Sequence, residues 1–175
     1  MGCGTGTLVS KAASQFPGLE FAAADPSEAM LTIAREKCAN LKVSYSATGT
    51  EDLMLAKRFD IITAIMSHHY LTKGEREQAT KNCFAMLKPG GLYVAFETIL
   101  PFTEFGTKTG LKRWGNAQIA KGKTVEAVEK HVGRYGTELL PISVPEHIEL
   151  LKKVGFSTVE LLWFSCMQAG FYAIK

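Results

Sequence analysis

Apolar residues recur along this chain with two alternating periods. Leu8, Val9, Ala12, Ala13 and Phe16 have helix-compatible spacing, so residues 8–16 are predicted to form a helix. Residues 19–25 read as a strand. Pro26-Ser27-Glu28 then opens a helix expected to run through residue 40, with Pro26 in its first turn. Ala29, Met30, Ile33, Ala34 and Cys38 form its predicted apolar stripe. A short strand at 43–46 and a short helix at 51–57 follow. Residues 59–66 are almost continuously apolar, as a strand buried on both faces would be. The next helix, 74–87, stops at Lys88-Pro89-Gly90-Gly91, where proline and glycine cannot continue it. Residues 92–96 read as a further central strand.

Strands alternating with helices predict an α/β fold with a mostly parallel, Rossmann-like sheet and right-handed crossovers. After Glu97 the rhythm changes. Gly106, Gly110, Gly115, Gly122, Gly133 and Gly136 interrupt residues 101–137, which suggests a cap of short helical pieces inserted into a single domain spanning 1–175. Ser143 is a predicted N-cap for a helix over 144–154, and Glu146 three residues on completes a capping box. Gly155 ends that helix. Residues 158–164 and 169–174 then read as two strands joined by a short turn, a C-terminal antiparallel hairpin.

Composition fits one core of ordinary size. The 175 residues are 46% hydrophobic and 21% charged, and no run approaches the length of a membrane span. Glycines replace the basic start of a signal peptide. Cys3, Cys38, Cys83 and Cys166 are widely spaced with no CxxC pair. That predicts reduced thiols, a cytoplasmic protein and no metal site. The net charge of +3 is too small to argue for nucleic acid. The surplus is local, because residues 101–140 hold seven Lys or Arg against four acids. This stretch reads either as a solvated helical face or as a basic cap over an anionic substrate. The cap is also a candidate homodimer surface.

Candidate chemistry begins at Gly2-Cys3-Gly4-Thr5-Gly6. A glycine-rich turn leading into a helix lets backbone approach a ligand and aims peptide N–H groups at it. About twenty residues on, Phe21-Ala22-Ala23-Ala24-Asp25 is an apolar strand ending in an acid, placed to accept ribose hydroxyls. Taken with Asp25-Pro26-Ser27-Glu28-Ala29-Met30-Leu31, Phe59-Asp60-Ile61-Ile62 and Leu87-Lys88-Pro89-Gly90-Gly91-Leu92, the chain resembles the class I S-adenosylmethionine-dependent methyltransferases. Their sheet ends on an antiparallel strand. The tail, from His147-Ile148-Glu149-Leu150-Leu151 to Phe171-Tyr172-Ala173-Ile174-Lys175, is similar to the carboxy-S-adenosylmethionine synthase branch of that fold.

The resemblance implies S-adenosyl-L-methionine as cofactor. Backbone at Gly2, Gly4 and Gly6 would pack against its methionine part, with Cys3 and Thr5 in the same turn. Asp25 would hold the ribose, Pro26 and Met30 would border the adenosine, and Met66 would join the same site. Two departures stand out. The family usually has an acid two residues before the first glycine, and this chain starts after that position. The expected reading is an N-terminally truncated domain that lacks its first strand, with Met1 internal to a longer protein. The family also commonly has an acid near the adenine amine, where this chain has Gly49; Thr50 and Glu51 are the substitutes at hand.

Methyl transfer from a sulfonium needs positioning, and a base only where the acceptor loses a proton. Ser67-His68-His69-Tyr70 follows a central strand at the ligand-binding edge of such sheets. His68 and His69 are the general-base candidates, with reference pKa near neutrality, and on extended backbone only one of them would face a substrate. Both could instead be packed or solvent-facing. Tyr70, Arg113, Trp114 and Arg134 are the substrate-binding candidates; Trp114 and Tyr135 could equally anchor the cap. The expected function is methyl transfer to a small molecule. A carboxy-S-adenosylmethionine synthase-like enzyme serving tRNA modification and an inactive cofactor-binding fragment are the alternatives.

Overall fold

A computed structural model describes residues 1–56 and 58–175. In chain order they form α1 (Thr7–Gln15), β1 (Phe21–Ala24), α2 (Glu28–Lys37), β2 (Val43–Ser46) and β3 (Phe59–Ile65). Next come a 3-10 turn at His68–Tyr70, α3 (Lys73–Met86) and β4 (Leu87–Thr98). The chain closes with α4 (Glu104–Ala120), α5 (Val125–Val132), α6 (Val144–Val154), β5 (Thr158–Ser165) and β6 (Gln168–Ile174).

The architecture is the α/β class expected. β1 and β2 pair in parallel, and β3 and β4 pair in parallel in a second sheet of order β3-β4-β6-β5. β6 runs antiparallel between β4 and β5, with Leu92 opposite Ile174 and Thr98 opposite Gln168. Its Phe171 and Ala173 are fully buried, joining Ile62, Ala64, Tyr93, Met86, Leu151 and Phe156 in one core. Phe156 stacks on Tyr93 at 5.6 Å and meets the edge of Phe84 at 5.0 Å.

Local chemistry sets most boundaries. Ser143 and Glu146 form the expected reciprocal capping box, and Gly155 ends α6 with φ 116°. A second capping box, Thr72 with Glu75, starts α3. α3 stops at Met86 ahead of Pro89, and β4 begins at once, so that strand runs well beyond 92–96 in both directions.

Several expectations are corrected. Ser27 caps α2 through Met30 N, so Pro26 lies outside the helix, which ends at Lys37. Its buried face is Leu31, Ala34 and Cys38; Ala29, Met30 and Ile33 are exposed, because the helix turns its tightest face onto Gly6. Glu51 and Asp52 form a turn and residues 53–55 have no regular structure, so no helix forms there; Lys57 lies outside the described residues. The cap holds one long helix, α4, beside the short α5, where only short pieces were expected. Gly110 and Gly115 sit inside it because added Cβ atoms would come 2.4 Å from Met167 Sδ and 3.2 Å from Val128 Cγ1. Close packing, not chain breaking, is the role of these glycines.

β3 is not buried on both faces. Ile62 and Ala64 point into the core, but Ile61 is 57% exposed on the opposite face. Among the described residues no strand lies between β1 and β3. Residues 1–3 bridge them instead: Met1 N donates to Thr63 O at 2.6 Å and Cys3 N to Ala24 O at 2.9 Å. This bridge carries the glycine turn to the C-terminal edge of both strands.

Candidate active site

The three glycines of the opening turn do three different things. Gly2 has φ 61°, and a Cβ there would lie 2.3 Å from Ser67 Cβ, so it admits close approach of the loop after β3. Gly6 has φ 74° and lies against Ala34 and Cys38, which seats α1 on α2. Gly4, with φ 51°, has nothing within 4 Å of a would-be Cβ. It is the glycine that faces open space. Thr5 points elsewhere, its hydroxyl taken by Lys37 Nζ at 3.1 Å.

Asp25 sits next to that opening, 9% exposed at the end of β1. Its Oδ2 accepts from Gly4 N at 2.8 Å and its Oδ1 from Ser27 N at 3.0 Å. The carboxylate thus fixes the glycine turn to the start of α2. Past the end of β2, Asn82 Nδ2 donates to the carbonyls of Thr50 and Glu51 at 3.0 and 2.7 Å, holding that turn. The Glu51 carboxylate folds back over Gly49, with Oε1 2.2 Å from where a Cβ on residue 49 would stand. Side-chain volume absent at position 49 is filled from position 51.

After β3 the backbone turns sharply. Met66 takes φ 56°, a strained value for a residue with a side chain. His68 and His69 then lie in a helical turn, not on extended backbone, and both are buried, 3% and 2% exposed. Glu97, 1% exposed at the end of β4, organises this turn. It accepts His68 N at 3.2 Å, His69 N at 2.9 Å and, at 2.7 Å, the His69 ring at Nδ1. Thr98 N also points at this nitrogen, at 3.3 Å, but the shorter contact is with a carboxylate, which only accepts; it puts the proton on Nδ1 and leaves His69 Nε2 with a free lone pair. Arg76 clamps the turn from the other side, Nε to His68 O at 3.1 Å and Nη2 to Leu140 O. Leu140 N in turn donates to His69 O at 2.7 Å.

Burial separates the two histidines chemically. It pushes His68 down to about 3, with the nearby positive groups adding to the effect, and its Nδ1 lies 3.3 Å from the Tyr93 hydroxyl. His68 is therefore a neutral packing residue at ordinary pH, not a base tuned near neutrality. Sequence reasoning missed Glu97 and Arg76. The signal for Glu97 was available, as an acid closing the apolar run 92–96; for Arg76 there was none, because a mid-helix arginine reads as solvent-facing.

The methyltransferase domain model matches residues 1–91, more than half of the chain. The chain belongs to that family. Among curated relatives, a carboxy-S-adenosyl-L-methionine synthase of Nitratiruptor sp. is 25% identical over 177 residues, covering 100% of this chain and 74% of the relative. A malonyl-[acyl-carrier protein] O-methyltransferase of Priestia megaterium is 25% identical over 182 residues, covering 100% of this chain and 63% of the relative. In structure, the plantazolicin methyltransferase BpumL, solved in complex with a pentazolic desmethylPZN analogue and SAH, superposes with a TM-score of 0.75. It is 13% identical and covers 99% of this chain and 74% of its own. Of two longer solved chains with the same fold, this chain spans 49% and 48%.

S-adenosyl-L-methionine is the cofactor of this methyltransferase domain. The residues present fit it. The open space above Gly4 adjoins Asp25, whose two oxygens each accept one backbone N–H and retain lone pairs for hydroxyl donors. Pro26 and Met30 are exposed beyond Asp25, and Glu51 lies past the neighbouring strand. All of these stand at the C-terminal edge of parallel strands, where such sheets bind ligands.

The substrate candidates divide. The Arg134 guanidinium lies 5.5 Å over the Tyr70 ring, and Tyr70 packs on His69 at 4.6 Å, so these two belong to the histidine turn. Trp114 packs on His131 at 4.7 Å, which joins α4 to α5 within the cap, whereas Tyr135 donates to Ile99 O at 3.0 Å and ties the cap to the segment after β4. Arg113 is exposed on α4, apart from them. No helix among the described residues is long and apolar enough to cross a membrane.

Proposed function

We propose that this methyltransferase domain methylates a small-molecule acceptor that loses a proton, with His69 as the general base and Glu97 behind it. The observation that carries the reading is the 2.7 Å contact of His69 Nδ1 with Glu97, both side chains almost sealed from solvent. The cofactor supplies a methyl carbon already activated by its positive sulfur. Asp25 and the glycine turn fix its position, and Met66 with the following turn brings His69 to the same strand edge. Transfer of that carbon would form the bond to the acceptor atom and leave the electrons of the broken sulfur–carbon bond on sulfur. The acceptor's proton passes to His69 Nε2, and the imidazolium formed is stabilised by Glu97. Arg134, stacked on Tyr70, would attract an anionic acceptor.

A carboxy-S-adenosylmethionine synthase-like activity is the second reading, favoured by the likeness to the Nitratiruptor protein. Weighing against it, Arg134 already pairs with the Glu138 carboxylate at 2.7 Å, leaving it less free for another carboxylate. One experiment separates the readings. The protein is incubated with methyl-labelled S-adenosylmethionine and, in parallel arms, a deproteinised small-molecule cell extract, total tRNA, bulk protein, or prephenate. Label in a small-molecule product supports the proposal. Label in tRNA or protein, a carboxylated cofactor in the prephenate arm, or no turnover in any arm overturns it.

A further inference from the structure

Behind the His69–Glu97 pair lies a small chamber between β4, β6, α3 and α6. His68, Arg76, Thr80, Tyr93, Glu97 and His147 supply its polar walls, and the ring of Phe171 closes one side. Within a core this is an unusual concentration of polar groups, and nearly all are spoken for. Arg76 bonds two carbonyls, Glu97 takes two amides and the His69 ring, and Thr80 donates to Arg76 O at 2.8 Å. Two atoms are not. His68 Nε2 and His147 Nε2 are sealed from solvent and have no hydrogen-bond partner among the described residues. Both side chains are more than nine-tenths buried, 3% and 6% exposed.

A buried ring nitrogen left unsatisfied loses its hydrogen bond to water without replacement, and two in one chamber double that cost. The chamber leaves about 10 Å³ for a water-sized sphere, close to the least that one water needs. It is too small for any larger ligand. It is also polar on several sides, which separates it from the apolar cavities that stay dry.

We infer that this chamber is a binding site for one internal water that bridges His68 Nε2 and His147 Nε2. A water suits both rings whatever their tautomers, since it can donate to one nitrogen and accept from another. Desolvation holds both imidazoles neutral, so the bridge is between uncharged rings. The water ties α6 to the histidine turn, completing the wall behind Glu97. The site does not depend on methyl transfer and stands whether or not His69 is the base.

The test is a high-resolution crystal structure of the wild-type protein, paired with water–protein cross-relaxation measured by NMR. The expected result is one ordered water within about 3.2 Å of both Nε2 atoms, with long-lived cross-peaks to the His68 or His147 ring protons. In His147→Leu, which keeps the volume and removes the nitrogen, those cross-peaks are lost. An empty chamber, or rings turned to bond each other or other protein groups, overturns the inference. So do cross-peaks that persist unchanged in His147→Leu. If that variant does not fold, the wild-type crystal structure decides alone.

Discussion

His69 and Glu97 meet at 2.7 Å across the C-terminal ends of β3 and β4, although they are 28 residues apart and each is almost wholly buried. Glu97→Gln keeps the shape but loses the charge that would stabilise an imidazolium, and its single carbonyl oxygen can accept only one of the two backbone N–H groups, of His68 and His69, that the carboxylate holds. Turnover should fall on the order of 10²-fold, the usual scale for a positioned proton transfer. S-adenosylhomocysteine affinity by calorimetry should stay within about twofold of wild type. Unchanged turnover would remove the pair from the chemistry.

The glycine turn gives a contrast between binding and folding. Gly4→Ala adds a methyl that meets no protein atom, so its effect should fall on cofactor affinity, with only the left-handed backbone cost of about 1–2 kcal/mol on stability. Asp25→Ala should weaken S-adenosylhomocysteine about tenfold or more, through loss of charge-assisted hydrogen bonds. Gly2→Ala instead drives a Cβ to within 2.3 Å of Ser67 Cβ, and should lower the melting temperature far more than Gly4→Ala does. Equal melting temperatures for the two variants would contradict this assignment.

Stability should depend on pH in a definite window. Burial lowers His68 and His147 to about 3 in the folded protein, against an ordinary value of 6.5. Between those values the unfolded chain binds protons that the folded one does not, so stability rises with pH there. Their contribution is complete above about pH 6.5 and is lost as the pH falls towards 3. Melting temperature should therefore drop on acidification through this range, and less steeply in His147→Leu. A flat profile from pH 6.5 to 4 would refute the placement of both rings.

Arg134 and Arg113, both in the basic stretch, should behave differently. Arg134→Gln removes the cation held over Tyr70 and should raise the KM of an anionic acceptor several-fold at nearly constant cofactor affinity. Arg113→Gln, exposed on α4, should change neither constant. Steady-state kinetics with the acceptor found in the labelling experiment would show equal effects if the basic stretch acted only as a solvated face.

The facing edges of β1 and β3 suggest a further measurement. Met1 and Cys3 already bond to Thr63 and Ala24, one on each strand, which sets the direction of any extended segment leading into Met1. A form carrying an apolar segment of strand length ahead of Met1 should gain backbone partners on both edges. Its melting temperature should rise by several degrees and its S-adenosylhomocysteine affinity should increase. No change in either would show that the two sheets need no strand between them.

The elements themselves were legible because their signals are local. Proline and glycine at 89–91 end α3, Ser143 and Glu146 cap α6, and alternating strand and helix signals give the parallel pairs β1–β2 and β3–β4, since each depends on the preferences of a few neighbouring residues. Gly4 and Asp25 were legible for the same reason, as a glycine turn and an acid at fixed spacing. Where the outcome depended on what lies across the fold, the sequence was silent or misleading. The glycines of α4 read as breaks until Met167 and Val128 are seen against them. His68 and His69 read as equivalent neighbours. Only the tertiary structure gives one of them Glu97 and encloses the other beside His147, because burial and long-range partners, not neighbours in sequence, decide what an imidazole does.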